Sequence, residues 1–176
     1  MRPVLIAIVG PKKSGKTAAI ETLTKELTRK RNRVAVIKHI PEINFTIDTK
    51  GKDTWRFAKA GATKIISISS SEIATIEKTP TNNLSLAKLL ERSKGSDIVF
   101  IEGFRNLVSK NRRVQKIVII KSAQEAEESV KAFEPIIAFA GEGQIKDLQK
   151  DRVYLDVSKD SGKLADMIER LSDETL

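Results

Sequence analysis

The sequence predicts an α/β fold, with a mostly parallel central sheet and helices packed on both faces. Three observations carry that prediction. Short runs rich in β-branched residues recur along the chain, beginning with Val4–Val9. Stretches with apolar residues three and four positions apart alternate with them, beginning at residues 16–30. The first of each is joined by a loop with two glycines, Gly10-Pro11-Lys12-Lys13-Ser14-Gly15-Lys16-Thr17.

The elements follow in order. Val4–Val9 is apolar throughout and bounded by Pro3 and Gly10, as a strand buried on both faces should be. It runs into a glycine loop rather than a small-residue cleavage site, so it is read as a strand and not as a signal peptide. In 16–30, Ala19, Ile20, Leu23 and Leu27 fall on one helical face. Residues 33–38 form a second strand, completing a βαβ unit whose crossover is right-handed. Residues 41–49 are a loop or hairpin, and 53–60 a short helix ended by Gly61. Strands at 64–69 and 72–77 lie too close in sequence for a parallel return and are antiparallel. A helix at 84–92 ends near Gly95 and precedes a strand at 98–101. Then come a basic loop at 110–113, a strand at 116–121, an acidic helix at 123–132 and a strand at 136–140. A short helix at 144–150, a strand at 153–155 and a closing helix at 161–171, with Ser161 as its cap, complete the chain. No repeat or linker interrupts it, so residues 1–176 are expected to form a single nucleotide-binding domain.

Composition narrows the function classes. With no cysteine, disulfides and thiolate metal sites are excluded, and a reducing cytoplasm is the expected compartment. No apolar run is long enough to span a bilayer. The net charge of +9 favours anionic partners, but one Trp, one Tyr and six Phe, none interleaved with a basic run, argue against nucleic acid. The charge reads either as an ordinary solvated, lysine-rich surface or as an attraction for phosphate-bearing small molecules.

The loop at residues 10–17 matches GxxxxGK[ST] in full, after a buried strand and opening a helix. It is a P-loop, and the fold expectation becomes a three-layer P-loop NTPase. Backbone N–H groups from the loop, including Ser14, and from the first helical turn, Thr17 and Ala18, make a nest for phosphate oxygens. Gly10 and Gly15 permit the backbone angles and the close approach. Lys16 reaches the terminal phosphates, and the Thr17 hydroxyl ligates magnesium. Lys12 and Lys13 either touch phosphate or face water.

A P-loop enzyme also needs an acid at a neighbouring strand end to hold the metal shell. The segment Asp97-Ile98-Val99-Phe100-Ile101-Glu102-Gly103-Phe104 offers two acids. Ligands collect beyond the carboxyl ends of parallel strands. Glu102 lies there, whereas Asp97 is five residues earlier, roughly 16 Å away at about 3.3 Å per residue. Glu102 is therefore the site acid. By the same rule Lys38 and His39 face the site, His39 either touching ligand or serving the structure. Asp48 and Asp53 flank Gly51-Lys52; two readings stand, a switch-like acid supply and an ordinary helix start.

In this order, GPKKSGKT, VAVIKH, FTIDTKGKDTWRFAKAGA and DIVFIEGF resemble the molybdopterin-guanine dinucleotide biosynthesis protein B (MobB) family across the first 104 residues. The resemblance implies a GTP-binding homodimer with weak GTPase activity. It implies a role assisting the guanylyltransferase that attaches GMP to molybdopterin, with molybdopterin itself a further candidate ligand. Carried onto this chain, Gly10, Lys13, Gly15, Lys16 and Thr17 hold phosphate and Mg2+, and Asp53 and Glu102 are acids near the metal; Lys16, Asp53 and Glu102 are the catalytic candidates. The chain departs from the family pattern in having Ile40-Pro41-Glu42 where further histidines are common. It has Ala140-Gly141-Glu142-Gly143 where an Asp-bearing segment near the base is common. No NKxD is present, so guanine preference rests on the resemblance; Glu142 is either the acid that reads guanine or a surface residue. A rival reading is a small-molecule kinase, in which Arg105, Arg112 and Arg113 serve as a lid.

Overall fold

The structure, a computed structural model, describes residues 2–173. The elements run β1 (Val4–Val9), α1 (Lys16–Arg29), β2 (Val34–Lys38), α2 (Asp53–Lys59), β3 (Lys64–Ile68), β4 (Ile73–Glu77) and α3 (Leu86–Glu91). They continue with β5 (Ile98–Glu102), α4 (Arg105–Val108), β6 (Gln115–Ile119), α5 (Ala123–Ala132), β7 (Ile136–Gly141), β8 (Tyr154–Asp156) and α6 (Ser161–Asp173). Two compact units result: residues 2–39 with 86–173, and Ile40–Ser85.

In the first unit six strands join in the order β2-β5-β1-β6-β7-β8. Every neighbouring pair is parallel. Because strand residues alternate, each strand serves two cores. Ile6 and Ile8 pack with Ile20, Leu23 and Leu27 of α1 and Leu164 and Ile168 of α6. Leu5, Ala7 and Val9 pack on the other face with Leu90, Val108 and Ala126. The result is the expected three-layer α/β architecture. Full burial of a side chain such as Leu23 contributes about 1.5–3 kcal/mol, so α1 is held firmly behind the glycine loop. In the second unit β3 and β4 form an antiparallel ribbon. Its turn is closed by the Ser69 hydroxyl, which accepts from the Ser71 and Glu72 N–H groups.

Two expectations are corrected and one element is added. Residues 144–150 form turns, not a helix, and Asp147 at φ 60° takes a left-handed conformation that a helix cannot contain. The α6 cap falls one residue before Ser161: the Asp160 carbonyl accepts from the Leu164 N–H at 3.0 Å. The short helix α4, in a stretch for which the sequence pattern names no element, follows β5 and is entered through Phe104 at φ 49°.

Asp97 takes the structural role expected of it. Its carboxylate holds the Arg33 guanidinium through two contacts, 2.7 and 3.0 Å, and accepts from the Arg33 backbone N–H at 2.8 Å. These bonds tie the start of β2 to the start of β5. They hold the Asp97 carboxyl down at about 2. No helix among the described residues is long and apolar enough to cross a membrane.

Candidate nucleotide-binding site

The glycine loop lies at the carboxyl end of β1 and is shaped by its neighbours. Gly10 has φ 146°, and a Cβ there would stand 2.3 Å from the Ile119 carbonyl oxygen of β6. No other residue fits. Lys13 is left-handed at φ 61°, and its carbonyl accepts from the Lys121 ammonium at 3.0 Å. Gly15, at φ 99°, occupies the cap position of α1 without any side-chain cap. The first N–H groups of a helix lack intrahelical partners, so those of α1 open onto the loop. Ser14 is buried, and its hydroxyl has no partner. An orphaned buried hydroxyl in such a nest fits a phosphate that supplies the missing partner.

Lys16 begins α1 and folds back, its ammonium donating to the carbonyls of Gly10 and Pro11. Burial pushes its pKa down, Glu102 pulls the other way, and Lys38 adds a smaller downward push. Glu102 ends β5, in register with Ile8 of β1 and Lys38 of β2. Its side chain is 14% exposed, and Oε2 lies 3.4 Å from the Thr17 hydroxyl and 3.3 Å from the Lys38 ammonium. Parallel pairing thus brings Lys16, Thr17, Lys38 and Glu102 to one edge of the sheet. Thr17 and Ala18 are exposed on the first turn of α1, and Lys12 is exposed on the loop.

His39 follows β2 beside the end of β5 and is exposed. Its N–H donates to the Glu102 carbonyl at 2.8 Å, and its ring lies 4.9 Å from that of Phe104. Gly103 makes this possible, since a Cβ there would be 2.6 Å from the His39 Cβ.

Asp53 belongs to the second unit. It opens α2 with a side chain that is 78% exposed, 3.4 Å from Arg56. In the same segment Asp48 accepts from the Thr54 hydroxyl at 2.7 Å and the Thr49 N–H at 2.9 Å. The second Asp48 oxygen is buried without a partner. Among the described residues no cluster of three or more His, Asp or Glu side chains forms a ready cation site. The Thr17 hydroxyl and the Glu102 carboxylate are the neighbouring oxygens that could hold a magnesium ion, which keeps several waters and takes one or two carboxylates plus phosphate oxygens.

The three arginines named for a kinase lid lie in two places. Arg105 lies over the Phe133 ring at 5.0 Å. Arg112 and Arg113 precede β6, at the amino-terminal edge of the sheet, opposite the glycine loop. Lys121 is a contact that the sequence reading missed; its place at the end of the strand beside β1 was the available signal.

Comparison with known proteins gives the family. Residues 5–142 match the model of the MobB family, molybdopterin guanine dinucleotide synthesis protein B. The chain is 31% identical to the molybdopterin-guanine dinucleotide biosynthesis adapter protein of Haemophilus influenzae, over 94% of this chain and 87% of that protein. It is 30% identical to the Escherichia coli adapter protein of the same name, over 93% and 90%. The crystal structure of Bacillus subtilis MobB superposes with a TM-score of 0.74 at 20% identity, covering 94% of this chain and 96% of that one. With its P-loop fold and a family match across most of its length, the chain belongs to the MobB family.

Proposed function

We propose that this protein is a GTP-binding adapter of molybdopterin-guanine dinucleotide biosynthesis, which assists the guanylyltransferase in attaching GMP to molybdopterin. The observation that supports the reading is that Glu102 reaches both Thr17 and the neighbourhood of Lys16, at a glycine loop whose Ser14 hydroxyl is buried without a partner. The pathway comes from the relatives, which are named adapter proteins of that biosynthesis.

The division of labour follows from the side chains. Backbone N–H groups from Gly10 to Ala18 cradle the phosphates, with Lys12 and Lys13 adding positive charge around them. Lys16 exchanges its two carbonyl partners for phosphate oxygens. Thr17 and Glu102 would hold magnesium, which would supply positive charge to offset that of the phosphates. Asp53 is assigned to the same shell on the family resemblance alone. Slow hydrolysis is carried into this reading from the family resemblance. The protein acts in the cytoplasm as a homodimer.

The experiment is a pull-down of the cognate guanylyltransferase on immobilised adapter, with and without magnesium and GTP. Retention that depends on GTP supports the proposal. A guanylyltransferase that passes through unretained in both conditions contradicts the adapter role.

A further inference from the structure

The strands of an all-parallel sheet start on one edge, so the segments that lead into them gather there. In this chain those segments are 2–3, 30–33, 92–97, 109–114 and 133–135, ahead of β1, β2, β5, β6 and β7. Their 21 residues hold nine Lys and Arg against two acids, Asp97 and Glu134, a net +7 of the chain's +9. The excess charge of the chain is therefore concentrated at the amino-terminal edge of the sheet, opposite the glycine loop.

Part of that charge is neutralised within the fold. Arg33 is held by Asp97 at 2.7 Å, Lys30 by Asp166 and Glu169, and Lys110 lies 4.0 Å from Glu134. Arg2, Arg31, Lys94, Arg112 and Arg113 are exposed and form no ion pair among the described residues. They stand ahead of β1, β2, β5 and β6, which are adjacent in the order β2-β5-β1-β6. At about 4.8 Å per strand they make a row roughly 14 Å long. Between Arg2 and Arg113 the row opens into a cleft of about 300 Å3, lined also by Pro3, Gln115 and Leu171. Four of the five are arginine, although arginine supplies only 11 of the chain's 32 cations. Arg31 is held at φ 69°, where glycine or asparagine is usual after a helix. Like charges set so closely repel one another and contribute nothing to folding; a partner of opposite sign relieves that repulsion.

We propose that this row docks an acidic face of a partner protein, with the cleft between Arg2 and Arg113 receiving one of its carboxylate side chains. Under the adapter reading, on which the inference rests, that partner is the assisted guanylyltransferase, held at the edge of the sheet opposite the nucleotide. Arginine is enriched at protein interfaces while lysine is depleted, and its planar fork pairs with a carboxylate through two hydrogen bonds. Single-stranded nucleic acid stacks on aromatic platforms, and a bilayer surface takes up apolar side chains beside the basic ones. The one aromatic residue in these segments, Phe133, is buried, and none of the exposed large apolar side chains among the described residues falls in them. A partner met through exposed opposite charge is lost as salt rises.

The test immobilises the full chain and measures binding of the purified guanylyltransferase by interferometry, in magnesium and GTP, at low and high salt. Two variants reverse charge in the row: Arg2→Glu with Arg113→Glu, and Arg112→Glu with Arg113→Glu. A control reverses two exposed lysines beyond the carboxyl ends of β7 and β8, Lys146→Glu with Lys159→Glu, so all three carry the same net charge. Every altered side chain is exposed, and circular dichroism checks folding. The row variants should bind the enzyme roughly tenfold or more weakly than wild type, and the control within about threefold. Wild type should also weaken at high salt. Row variants that bind like wild type, or a control weakened as much as they are, overturn the proposal and leave the adapter reading standing. Wild type that fails to bind the enzyme at low salt overturns both. Oligothymidylate and phosphatidylserine vesicles serve as rival probes. Tighter binding of either than of the enzyme by wild type, lost in the row variants, gives the row to nucleic acid or membrane and overturns the proposal.

Discussion

Replacing Glu102 by Gln removes one charge and keeps the shape of the side chain. The carboxylate lies 3.3 Å from the Lys38 ammonium and 3.4 Å from the Thr17 hydroxyl. At an effective dielectric of about 20, the Lys38 attraction is about 5 kcal/mol before desolvation is subtracted. The Lys38 side chain is 50% exposed, so water replaces most of that when the charge is lost. The net cost to folding is about 1 kcal/mol, as for partly exposed pairs. The effect on ligand is larger and depends on metal. A charged ligand group contributes about 1.5–3 kcal/mol, so Mg-GTP affinity should fall roughly 10- to 100-fold. Without magnesium the sign reverses, because Glu102 then repels the phosphates, and the variant should bind GTP a few times more tightly than wild type. Calorimetry in magnesium and in chelator, with urea unfolding as the stability control, reads all three quantities. Equal loss of affinity in both conditions would refute a metal-side role for Glu102 and leave it a structural carboxylate.

The other predictions concern the frame of the site. Gly10→Ala places a Cβ 2.3 Å from the Ile119 carbonyl at φ 146°, so backbone strain of about 1–3 kcal/mol adds to the overlap. Urea unfolding should show a loss of at least 2 kcal/mol, and an unchanged midpoint would contradict the packing. Lys116 is fully buried, and its ammonium donates to the carbonyls of Asn111, Val114 and Glu134. Lys116→Met orphans all three, for an expected loss of about 3 kcal/mol, and a loss under about 1 kcal/mol would show that water replaces the cation. Two pH trends follow from shifted groups. Asp97 is lowered to about 2 when folded, so its contribution is complete above pH 3.8 and lost as pH falls toward 2. Asp97→Asn should flatten the acid limb of a stability–pH curve, and an unaltered limb would contradict the Arg33 clasp. Burial pushes Lys116 down to about 8, against 10.5 unfolded, so the unfolded chain binds more protons between these values. Stability should therefore gain from this group as pH rises from 8 to 10.5, a gain absent from Lys116→Met.

Much of this architecture was legible in the residues themselves. Val4–Val9 is apolar at every position because β1 is the third of six strands and buried on both faces. The spacing of Ala19, Ile20, Leu23 and Leu27 gave α1 directly, since those four side chains are its buried set. The strand-end rule separated Glu102 from Asp97 without coordinates, because parallel strands start and finish together. What stayed hidden depends on pairing across the sheet. Lys121 carries no motif, and its role appears only once β6 lies beside β1. The 144–150 segment misled because its apolar spacing is helical while Asp147 turns the chain left-handed. The α4 helix is too short for periodicity to show.

The central claim is that the glycine loop binds a magnesium nucleotide through Lys16. Calorimetric titration of GTP in magnesium, wild type against Lys16→Ala, tests it most directly. Wild type should bind one GTP per chain and Lys16→Ala none detectably, with circular dichroism showing that both are folded. A folded Lys16→Ala protein that binds GTP as tightly as wild type would contradict it.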